Sequence, residues 1–350
     1  MDGATAPGVT TVTAAMRRAL AASGEVHGST SPNPAVGCVI LDRDGAVAGV
    51  GATAPPGGPH AERAALAEAG DRARGGTAVV TLEPCNHTGR TPPCVDALLD
   101  AGVARVHAAL ADPNPVAAGG LERLRAAGVE VTLGTLAEEV ARGPLRGWLH
   151  RQRTGRPHVT WKVATTLDGR VAAADGTSRW ITGPGARAQV HDLRRRMDAI
   201  VAGTGTVLAD DPALTARRPD GTLLDHQPLP VVVGHRDVPS GARLDRTDVL
   251  HLRTRDPGEV LTELTRRTVV DVLLEGGPTL AGAFVAAGLV DRVLVHLAPA
   301  LLGAGPHALG DVGVGTIADI VRLHVDEVHR AGDDVVIDAR PAPGPTGPPQ

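Results

Sequence analysis

Aromatic side chains are almost missing from this 350-residue chain, which has no tyrosine, one phenylalanine and three tryptophans. We therefore do not expect the aromatic platforms on which single-stranded nucleic acids stack. Lysine is equally scarce, because Lys162 is the only one and arginine supplies the other long basic side chains. No apolar run approaches the roughly 18 residues of a membrane helix. The N-terminus also lacks a long apolar core behind a basic tip, so no secretion signal is expected.

Cysteine content and net charge are low as well. Three cysteines cannot build a disulfide framework, which favours a reducing compartment and a cytoplasmic protein. A net charge of −4 provides no basic surface for nucleic acid, so neither nucleic acid nor a membrane is an expected partner. The content of 42% apolar and 21% charged residues is that of a globular protein. The length predicts two domains.

Helical and strand patterns alternate through both halves of the chain. In the first half a helix precedes a hairpin that turns at 42–45, and the later strands are each followed by a helix. This alternation predicts an α/β fold with a mostly parallel sheet. The Gly-, Pro- and Arg-rich stretch 142–157 interrupts the alternation, and a second α/β pattern follows it. We predict domains over 11–145 and 157–340, and a disordered tail, rich in proline and glycine, over 341–350.

The strongest chemical pattern is a histidine in the sequence PHAE, followed by two cysteines that each come after a proline. Zinc deaminases bind their metal through one histidine and two cysteines, keep the fourth position for water, and use a glutamate that is not a ligand. The sequence therefore predicts His60, Cys85 and Cys94 as zinc ligands. Glu62, two residues after the histidine, is the predicted catalytic proton carrier.

A structural zinc site is the alternative interpretation of the same pattern. Such sites are normally closed by four protein ligands. His87 is the only nearby candidate for a fourth ligand, because Cys38 lies in an apolar strand. We expect Cys38 to pack as a small buried apolar residue.

Longer segments around these residues resemble a known family. Eight residues separate Cys85 from Cys94, and the run TLEPCNHTGRTPPCVDAL, with SPNPAVGCVI before it and ADPNP after it, resembles the bifunctional riboflavin-biosynthesis deaminase/reductases of bacteria. The resemblance implies a cytidine-deaminase-like α/β sandwich whose Cys85–Cys94 loop helps to hold a phosphoribosyl pyrimidine. It implies Arg90 as a partner of the 5′-phosphate and Asn33 as a partner of the pyrimidine or ribose. From the residues alone, a plain turn role for Asn33 is an equally good interpretation.

The chain departs from the family at position 53. Family members often have a histidine there, in a G-x-G-x-H run, and this chain has Thr53. Threonine carries no charge but keeps a hydroxyl that is able to donate a hydrogen bond to phosphate. The departure affects the expected phosphate contacts and leaves the zinc chemistry unchanged.

The second half contains two Gly-rich loops after strands, at 203–206 and 275–279. By themselves they fit nucleotide binding and a simple strand–helix turn equally well. However, WKVATTLDGR, SRWITG, LRRRMDAI, GTGTVLADDPALTAR and LLEGGPTLAGAFVAAGLVD are similar to the reductase half of the same family. This resemblance implies a dihydrofolate-reductase-like domain that uses NADPH.

The resemblance also implies binding residues in this half. The cofactor contacts are Ala164, Trp180, Thr206, Asp210 and the loop Gly277, Pro278, Thr279, Leu280, Ala281, Gly282 and Ala283. The substrate contacts are Ser178, Arg194, Leu214, Arg217 and Glu275. The two arginines are expected to meet the substrate phosphate. Independently of the resemblance, Lys162 is a candidate substrate contact, because the one lysine not exchanged for arginine is expected to supply a compact ammonium donor. The alternative is that Lys162 is a chance survivor of the exchange.

A second departure follows the strand PVVVG. The family commonly has an Asp-Ser pair there, near the adenosine end of NADPH, and this chain has Gly234 and His235. His235 and Arg236 are the candidates for contact with the cofactor 2′-phosphate, and the choice of NADPH over NADH follows from the resemblance alone.

The resemblance implies two consecutive reactions on one small molecule. The first is zinc-dependent deamination of 2,5-diamino-6-(5-phosphoribosylamino)pyrimidin-4(3H)-one. The second is NADPH-dependent reduction that gives 5-amino-6-(5-phosphoribitylamino)uracil. The alternatives are a diverged member with one active half or another pyrimidine product, and a zinc-stabilised binding module without turnover. A homo-oligomer is expected.

Overall fold

The computed structural model describes residues 8–88, 92–218 and 220–342. The chain divides into two compact units, and the division falls between Gly155 and Arg156. Within the described ranges, no helix has the length and apolar character to cross a membrane.

The first unit consists of one sheet with helices packed on it. Its helices and strands, in chain order, are α1 Val9–Val26, β1 Gly37–Leu41, β2 Val47–Ala52, α2 Ala61–Ala69, β3 Thr77–Leu82, α3 Cys94–Asp100, β4 Arg105–Leu110, α4 Gly120–Ala126, β5 Glu130–Leu133, α5 Ala137–Arg142 and α6 Arg146–Thr154. The stretch expected to interrupt the alternation therefore contains helix α6.

The sheet of the first unit is mixed. Its strand order is β2-β1-β3-β4-β5, with β1 antiparallel to both β2 and β3, and β4 parallel to β3 and β5. The predicted turn joins β1 to β2: the Asp42 carboxylate accepts hydrogen bonds from the N–H groups of Asp44 and Ala46, and Gly45 has a φ of +82°. So short a connection forces its two strands to be antiparallel. The α/β fold is confirmed, but the prediction of a mostly parallel sheet is wrong for this unit.

Helix α2 lies unusually close to strand β2. A Cβ atom added to Gly51 would lie 2.3 Å from the carbonyl oxygen of Ala61, and one added to Gly49 would lie 2.2 Å from that of Ala65. Only glycine allows backbones to approach so closely. The two glycines thus fix the start of α2, where His60 immediately precedes the helix and Glu62 lies in its first turn.

The second unit has a larger sheet. Its helices and strands are β6 His158–Thr166, α7 Pro184–Arg195, β7 Ala199–Gly203, α8 Thr204–Asp210, β8 Leu229–Val233, β9 Leu250–Leu252, α9 Pro257–Arg266, β10 Asp271–Leu274, α10 Pro278–Ala286, β11 Arg292–Ala298, β12 Leu323–Ala331 and β13 Asp334–Pro341.

The strand order of this sheet is β12-β13-β11-β6-β10-β7-β8-β9. The pairings from β11 to β9 are parallel, and β13 is antiparallel to both β11 and β12. Apolar clusters cover both faces: Phe284 and Val272 belong to one cluster, and Ile200 and Leu273 to the other. Because both faces are covered, strand β10 is buried along its whole length. Because β10, β7, β8 and β9 are parallel to one another, their carboxyl ends meet at one edge of the sheet.

The hairpin β12–β13 is absent from the sequence prediction. Most β12 side chains are exposed, so the strand has no apolar face to produce a period-2 pattern. Gly332, with a φ of +74°, makes the turn between the two strands. Pro341, the first residue of the predicted tail, ends β13, and 343–350 lie outside the described residues.

Candidate metal centre and candidate nucleotide cavity

Three separate segments bring the predicted zinc ligands together. His60 immediately precedes α2, Cys85 follows β3, and Cys94 is the first residue of α3. The Nδ1 atom of His60 lies 3.6 Å from the Sγ atom of Cys85 and 3.4 Å from that of Cys94. The three ligand atoms all lie within 4.8 Å of one another, a spacing that fits a single ion held by one nitrogen and two sulfurs.

The electrostatics of the two thiols also fit zinc. The backbone N–H of Cys94 donates to the Sγ of Cys85 over 3.4 Å. The hydrogen bond between the two thiols lowers the pKa of Cys85 to about 4 and raises the pKa of Cys94, because one proton is held between them. The lowered pKa of Cys85 favours its thiolate form, and the donor set of one imidazole and two sulfurs matches zinc.

Glu62 lies beside this cluster without belonging to it. Its side chain is buried, and burial raises its pKa to about 7. A carboxyl with a pKa near neutrality is able both to accept and to release a proton at physiological pH.

The other residues predicted for this site have mixed positions. Asn33 closes a turn, because its N–H donates to the Thr30 carbonyl over 2.9 Å and its own carbonyl accepts from the Thr30 hydroxyl over 3.1 Å. His87 is not a member of the metal-binding group found among the described residues. Arg90 lies outside the described residues. Cys38 is fully buried in β1 and forms no disulfide, as expected of a small apolar residue.

The Thr53 hydroxyl makes contacts within the protein. Its side chain is 3% exposed, and its Oγ1 atom accepts a hydrogen bond from the Val36 N–H over 3.1 Å. The hydroxyl therefore joins two backbone segments, and its donation to a phosphate stays a prediction.

Glu83 is a supporting residue that the sequence did not reveal. Its buried carboxylate accepts hydrogen bonds from the N–H groups of Asp112 at 2.9 Å, Gly119 at 3.1 Å and Leu121 at 3.0 Å. It thereby fixes the ADPNP segment next to Pro84 and Cys85. A glutamate two residues before Cys85 was the available signal, but its hydrogen-bond partners lie 29 to 38 positions away in the sequence.

In the second unit, most of the predicted binding residues line one cavity of about 1880 Å³ at the carboxyl edge of the sheet. The predicted residues that line it are Lys162, Ala164, Ser178, Trp180, Arg194, Thr206, Asp210, Leu214, Arg217, Glu275, Gly277, Pro278, Thr279, Leu280 and Ala283. Ala281 and Gly282 are not among its lining residues. Both are buried in α10, where Ala281 packs into the apolar core.

Hydrogen bonds join several of the residues that line this cavity. The Gly277 N–H donates to the Thr206 hydroxyl over 3.0 Å, which holds the two Gly-rich loops together. The Ser178 hydroxyl donates to Asp210 over 3.0 Å. Trp180 is 70% exposed, and the Arg187 guanidinium lies 4.7 Å from its ring centroid. The two loops therefore form a preorganised wall for a phosphate-bearing ligand.

A partly buried ion pair also lines the cavity. Arg194 donates to both carboxylate oxygens of Glu275, at 2.9 and 2.6 Å, and to the Thr215 carbonyl at 3.2 Å. Burial alone would raise the pKa of Glu275, but the Arg194 charge outweighs it and the pKa falls to about 2. Burial lowers the pKa of Lys162, which the Glu275 charge opposes. Because Arg194 is neutralised by Glu275, Arg217 is the better placed of the two arginines for a phosphate.

His191 and Arg218 also line the cavity, and the sequence did not single them out. His191 precedes Arg194 by three positions on α7, so both side chains lie on one face of the helix. That helical spacing was a usable signal. Arg218 directly follows Arg217, and nothing in its local sequence distinguishes it from the many other arginines.

The fold and the two sites define a two-domain α/β enzyme, with a zinc-deaminase centre in one unit and a nucleotide cavity in the other. The family model for the cytidine and deoxycytidylate deaminase zinc-binding region matches residues 10–110, and the model for the RibD C-terminal domain matches residues 157–337.

Relatives match nearly the whole chain. The riboflavin biosynthesis protein RibD of Mycobacterium tuberculosis CDC 1551 is 55% identical over 331 residues, which cover 94% of this chain and 97% of that protein. RibD of Escherichia coli K12 is 39% identical over 92% of this chain and 97% of its own length. The solved structure of Acinetobacter baumannii RibD, form 1, has a TM-score of 0.87 and 36% identity, and covers 96% of this chain and 100% of that chain.

A further solved structure is that of a diaminohydroxyphosphoribosylaminopyrimidine deaminase/5-amino-6-(5-phosphoribosylamino)uracil reductase from Thermotoga maritima. It has a TM-score of 0.85 and 32% identity, and covers 95% of this chain and 99% of that chain. The chain therefore belongs to the RibD family of bifunctional riboflavin-biosynthesis enzymes, which confirms the resemblance. It is an enzyme with a zinc-dependent deaminase domain and an NADPH-dependent reductase domain.

Proposed function

We propose that the first unit deaminates 2,5-diamino-6-(5-phosphoribosylamino)pyrimidin-4(3H)-one and that the second unit reduces the product to 5-amino-6-(5-phosphoribitylamino)uracil. The observation that carries the first half is the cluster of His60, Cys85 and Cys94, whose ligand atoms lie within 4.8 Å of one another, with Glu62 buried beside them. The second half is supported by the cavity at the carboxyl edge of the larger sheet.

In the deaminase reaction, water enters and ammonia leaves. When bound, zinc supplies the Lewis acidity that makes a water nucleophilic towards the ring carbon bearing the amino group. Glu62 accepts a first proton from that water and delivers it to the ring nitrogen, and it then carries the second proton, from the added hydroxyl group, to the departing amine, which leaves as ammonia. The pKa of Glu62, raised to about 7 by burial, suits both transfers near neutral pH.

In the reductase reaction, the ribosyl group becomes a ribityl chain. When bound, NADPH supplies the hydride that the ribosyl C1′ takes up. The bond between C1′ and the ring oxygen opens, and that oxygen takes up a proton. Lys162 is the proton donor in this proposal, because it lines the cavity and burial lowers its pKa. Arg217 holds the substrate phosphate, and the Arg194–Glu275 pair keeps the wall beside Lys162 rigid.

The expected cellular location follows from the cysteines of the metal centre, and the expected assembly follows from an exposed edge strand. We infer that the enzyme acts in the cytoplasm, because its metal centre requires reduced cysteines.

We also infer a homo-oligomer. Strand β12 is the edge of the larger sheet and exposes Leu323, Val325 and Val328 at 44%, 51% and 58%. An exposed apolar edge strand is a surface that a second copy is able to cover.

The test supplies the diamino substrate to the full chain with and without NADPH and identifies the products by mass spectrometry. Deamination replaces an amino group by oxygen and raises the mass by about 1 Da, and reduction then adds about 2 Da. We expect the first product without NADPH and the second only with it. Bound zinc without ammonia release would identify a zinc-stabilised binding module, and a single mass shift would identify a member with one active half.

A further inference from the structure

Lys162 is the only lysine in a chain that otherwise uses arginine for its long basic side chains. It lies on β6 and lines the cavity of the second unit. Arginine would keep the positive charge there and add hydrogen-bond donors, but its guanidinium does not lose a proton in proteins. A lysine amine differs because its neutral form has a nucleophilic lone pair. A lone lysine in the cavity wall is therefore a candidate nucleophile as well as a candidate proton donor.

Strand pairing brings Lys162 next to Glu275. The parallel register of β6 and β10 pairs Trp161 with Leu274, so the residues that follow them, Lys162 and Glu275, lie side by side on one face of the sheet. Both carboxylate oxygens of Glu275 are already bound by Arg194, at 2.9 and 2.6 Å. Within the described residues, the Lys162 amine makes no hydrogen bond and no ion pair. The amine is therefore available to a ligand in the cavity.

The surroundings of this amine favour its neutral form. Burial lowers the pKa of Lys162, and the positive charge of Arg194 acts in the same direction. The charge of Glu275 opposes both effects, but the net shift of the pKa is downward. A desolvated lysine beside another cationic group is the arrangement that activates an amine as a nucleophile towards carbonyl compounds. Lys162 therefore has the environment of an imine-forming lysine.

An arginine suited to a phosphate lies beside the same ion pair. The Thr215 carbonyl accepts a hydrogen bond from Arg194 over 3.2 Å, and the Thr215 hydroxyl accepts one from the Nε atom of Arg217 over 3.1 Å. Arg217 also donates to the Gly221 carbonyl over 3.0 Å. Among the described residues, no carboxylate pairs with Arg217, so its charge and its remaining N–H donors are available to a phosphate.

We propose that Lys162 forms a reversible imine with aldehydes that carry a phosphate, so that the cavity is a covalent binding site for open-chain sugar phosphates. The phosphate binds at Arg217, and the aldehyde carbon meets the Nζ atom of Lys162. The Nζ lone pair attacks that carbon, and the carbonyl oxygen leaves as water with the two hydrogens of the neutral amine. A C=N bond replaces the C=O bond, so no oxidant or reductant takes part. The step shares with the proposed reduction only the phosphate contact, because no hydride moves.

The experiment incubates the full chain with ribose 5-phosphate and sodium cyanoborohydride, which reduces an imine to a stable amine. Intact-mass measurement and peptide mapping count the added groups and locate them. We expect one reduced sugar phosphate on Lys162. The N-terminal amine is the internal reference and should be labelled at least about ten-fold more slowly, because it lies outside the cavity and has no phosphate partner.

Two further sugars test the phosphate and the aldehyde separately. Ribose lacks the phosphate and should label Lys162 at least about ten-fold more slowly at the same concentration, because charge-assisted hydrogen bonds are lost. Ribitol 5-phosphate has the phosphate but no aldehyde, so it should not label the protein and should compete with ribose 5-phosphate. Equal labelling of Lys162 by ribose and ribose 5-phosphate, or no competition by ribitol 5-phosphate, contradicts the inference.

A matched pair of variants separates the cavity amine from an ordinary lysine. Lys162→Arg keeps the charge and should remove labelling from the cavity. The control combines it with Arg266→Lys, because Arg266 is exposed on α9, lies outside the cavity lining and pairs with Glu263 at 3.5 Å. The only lysine of that protein is on the surface, and it should be labelled at least about ten-fold more slowly than Lys162 of the wild type. Equal rates would show ordinary amine reactivity and contradict the inference.

The variant Arg217→Ser tests the phosphate contact. It should slow labelling by ribose 5-phosphate at least about ten-fold and remove most of the advantage of this sugar over ribose. An advantage that persists in this variant contradicts the inference. If the variants do not fold, the wild type decides, and an unlabelled Lys162 overturns the inference. Reduction of the deaminated substrate by a wild type whose Lys162 is not labelled would leave the proposed function intact.

Discussion

The two candidate sites are built in different ways. In the first unit, the donor atoms come from short motifs at His60, Cys85 and Cys94, and glycines in β2 allow the first turn of α2 to approach them. In the second unit, the cavity is assembled from residues between 162 and 308, which extend over five neighbouring strands of the sheet. The metal centre therefore depends on a few irreplaceable side chains, and the cavity depends on a supporting network. Substitutions in the metal centre should therefore cause a loss of zinc or of deaminase turnover, whereas substitutions in the cavity network should cause a loss of stability.

The largest expected effect is the loss of a metal ligand. Cys94→Ser should remove zinc from the protein and lower deaminase activity by at least about a thousand-fold, because the metal supplies several kcal/mol of transition-state stabilisation. Reduction of the deaminated substrate should be unchanged. Zinc content by mass spectrometry and separate assays of the two half-reactions check this. The control is Cys38→Ala, which should keep zinc, and a loss of zinc in that variant would contradict the ligand assignment.

The next effect separates proton transfer from metal binding. Glu62→Gln should keep one zinc per chain and lower the deaminase turnover number by about 10²–10⁴-fold, because an amide of the same shape carries no transferable proton. The pH profile of the remaining activity should lose the step near the Glu62 pKa, which burial raises to about 7. Normal deamination by this variant would show that Glu62 is not the proton carrier.

The third effect acts on the network of the second unit. Glu275→Gln leaves the partly buried Arg194 charge without its partner, so the free energy of unfolding of this unit should fall by about 3–5 kcal/mol. Deaminase activity should persist until the protein unfolds. Glu263→Gln, which removes a surface pair on α9, is the control and should change the unfolding temperature little. Equal melting curves for both variants would mean that the ion pair is not a structural part of the cavity wall.

The smallest expected effect is a pH dependence of the free energy of unfolding, which comes from His296 in the second unit. His296 is 1% exposed, and within the described residues neither ring nitrogen has a hydrogen-bond partner. Burial lowers its pKa from 6.5 to about 4, so between these values the unfolded chain binds a proton that the folded chain does not. The free energy of unfolding is therefore not reduced by His296 above pH 6.5, and it decreases by about 3 kcal/mol as the pH falls towards 4.

The variant His296→Leu checks this pH dependence by denaturant unfolding at several pH values. Its free energy of unfolding should vary less between pH 4 and 6.5 than that of the wild type. Identical slopes for the two proteins would contradict the assignment of the titration to His296.

The sequence was most informative where residue type and spacing carry the chemistry. His60, Cys85, Cys94 and Glu62 followed from the residues themselves, because few other arrangements need one imidazole, two thiols and a nearby carboxyl group. The role of Glu83 did not follow from the local sequence, since it depends on backbone groups that lie 29 to 38 positions away. Local patterns do not contain such contacts.

In the second unit, the resemblance located the cavity residues but not their pairing. Arg194 has the side chain of a phosphate ligand, and only the structure reveals that Glu275 neutralises it. Arg255 is distant in sequence from Arg236, and the two lie in one cavity because β8 and β9 are neighbours in the sheet. The β12–β13 hairpin was missed because an exposed strand has no apolar alternation.

X-ray absorption spectroscopy at the zinc edge of the full-length protein tests the central claim most directly. The account predicts one zinc ion with two sulfur ligands, one imidazole nitrogen and one light atom that does not come from the protein. A fourth ligand from the protein, or a coordination shell without two sulfurs, would contradict it.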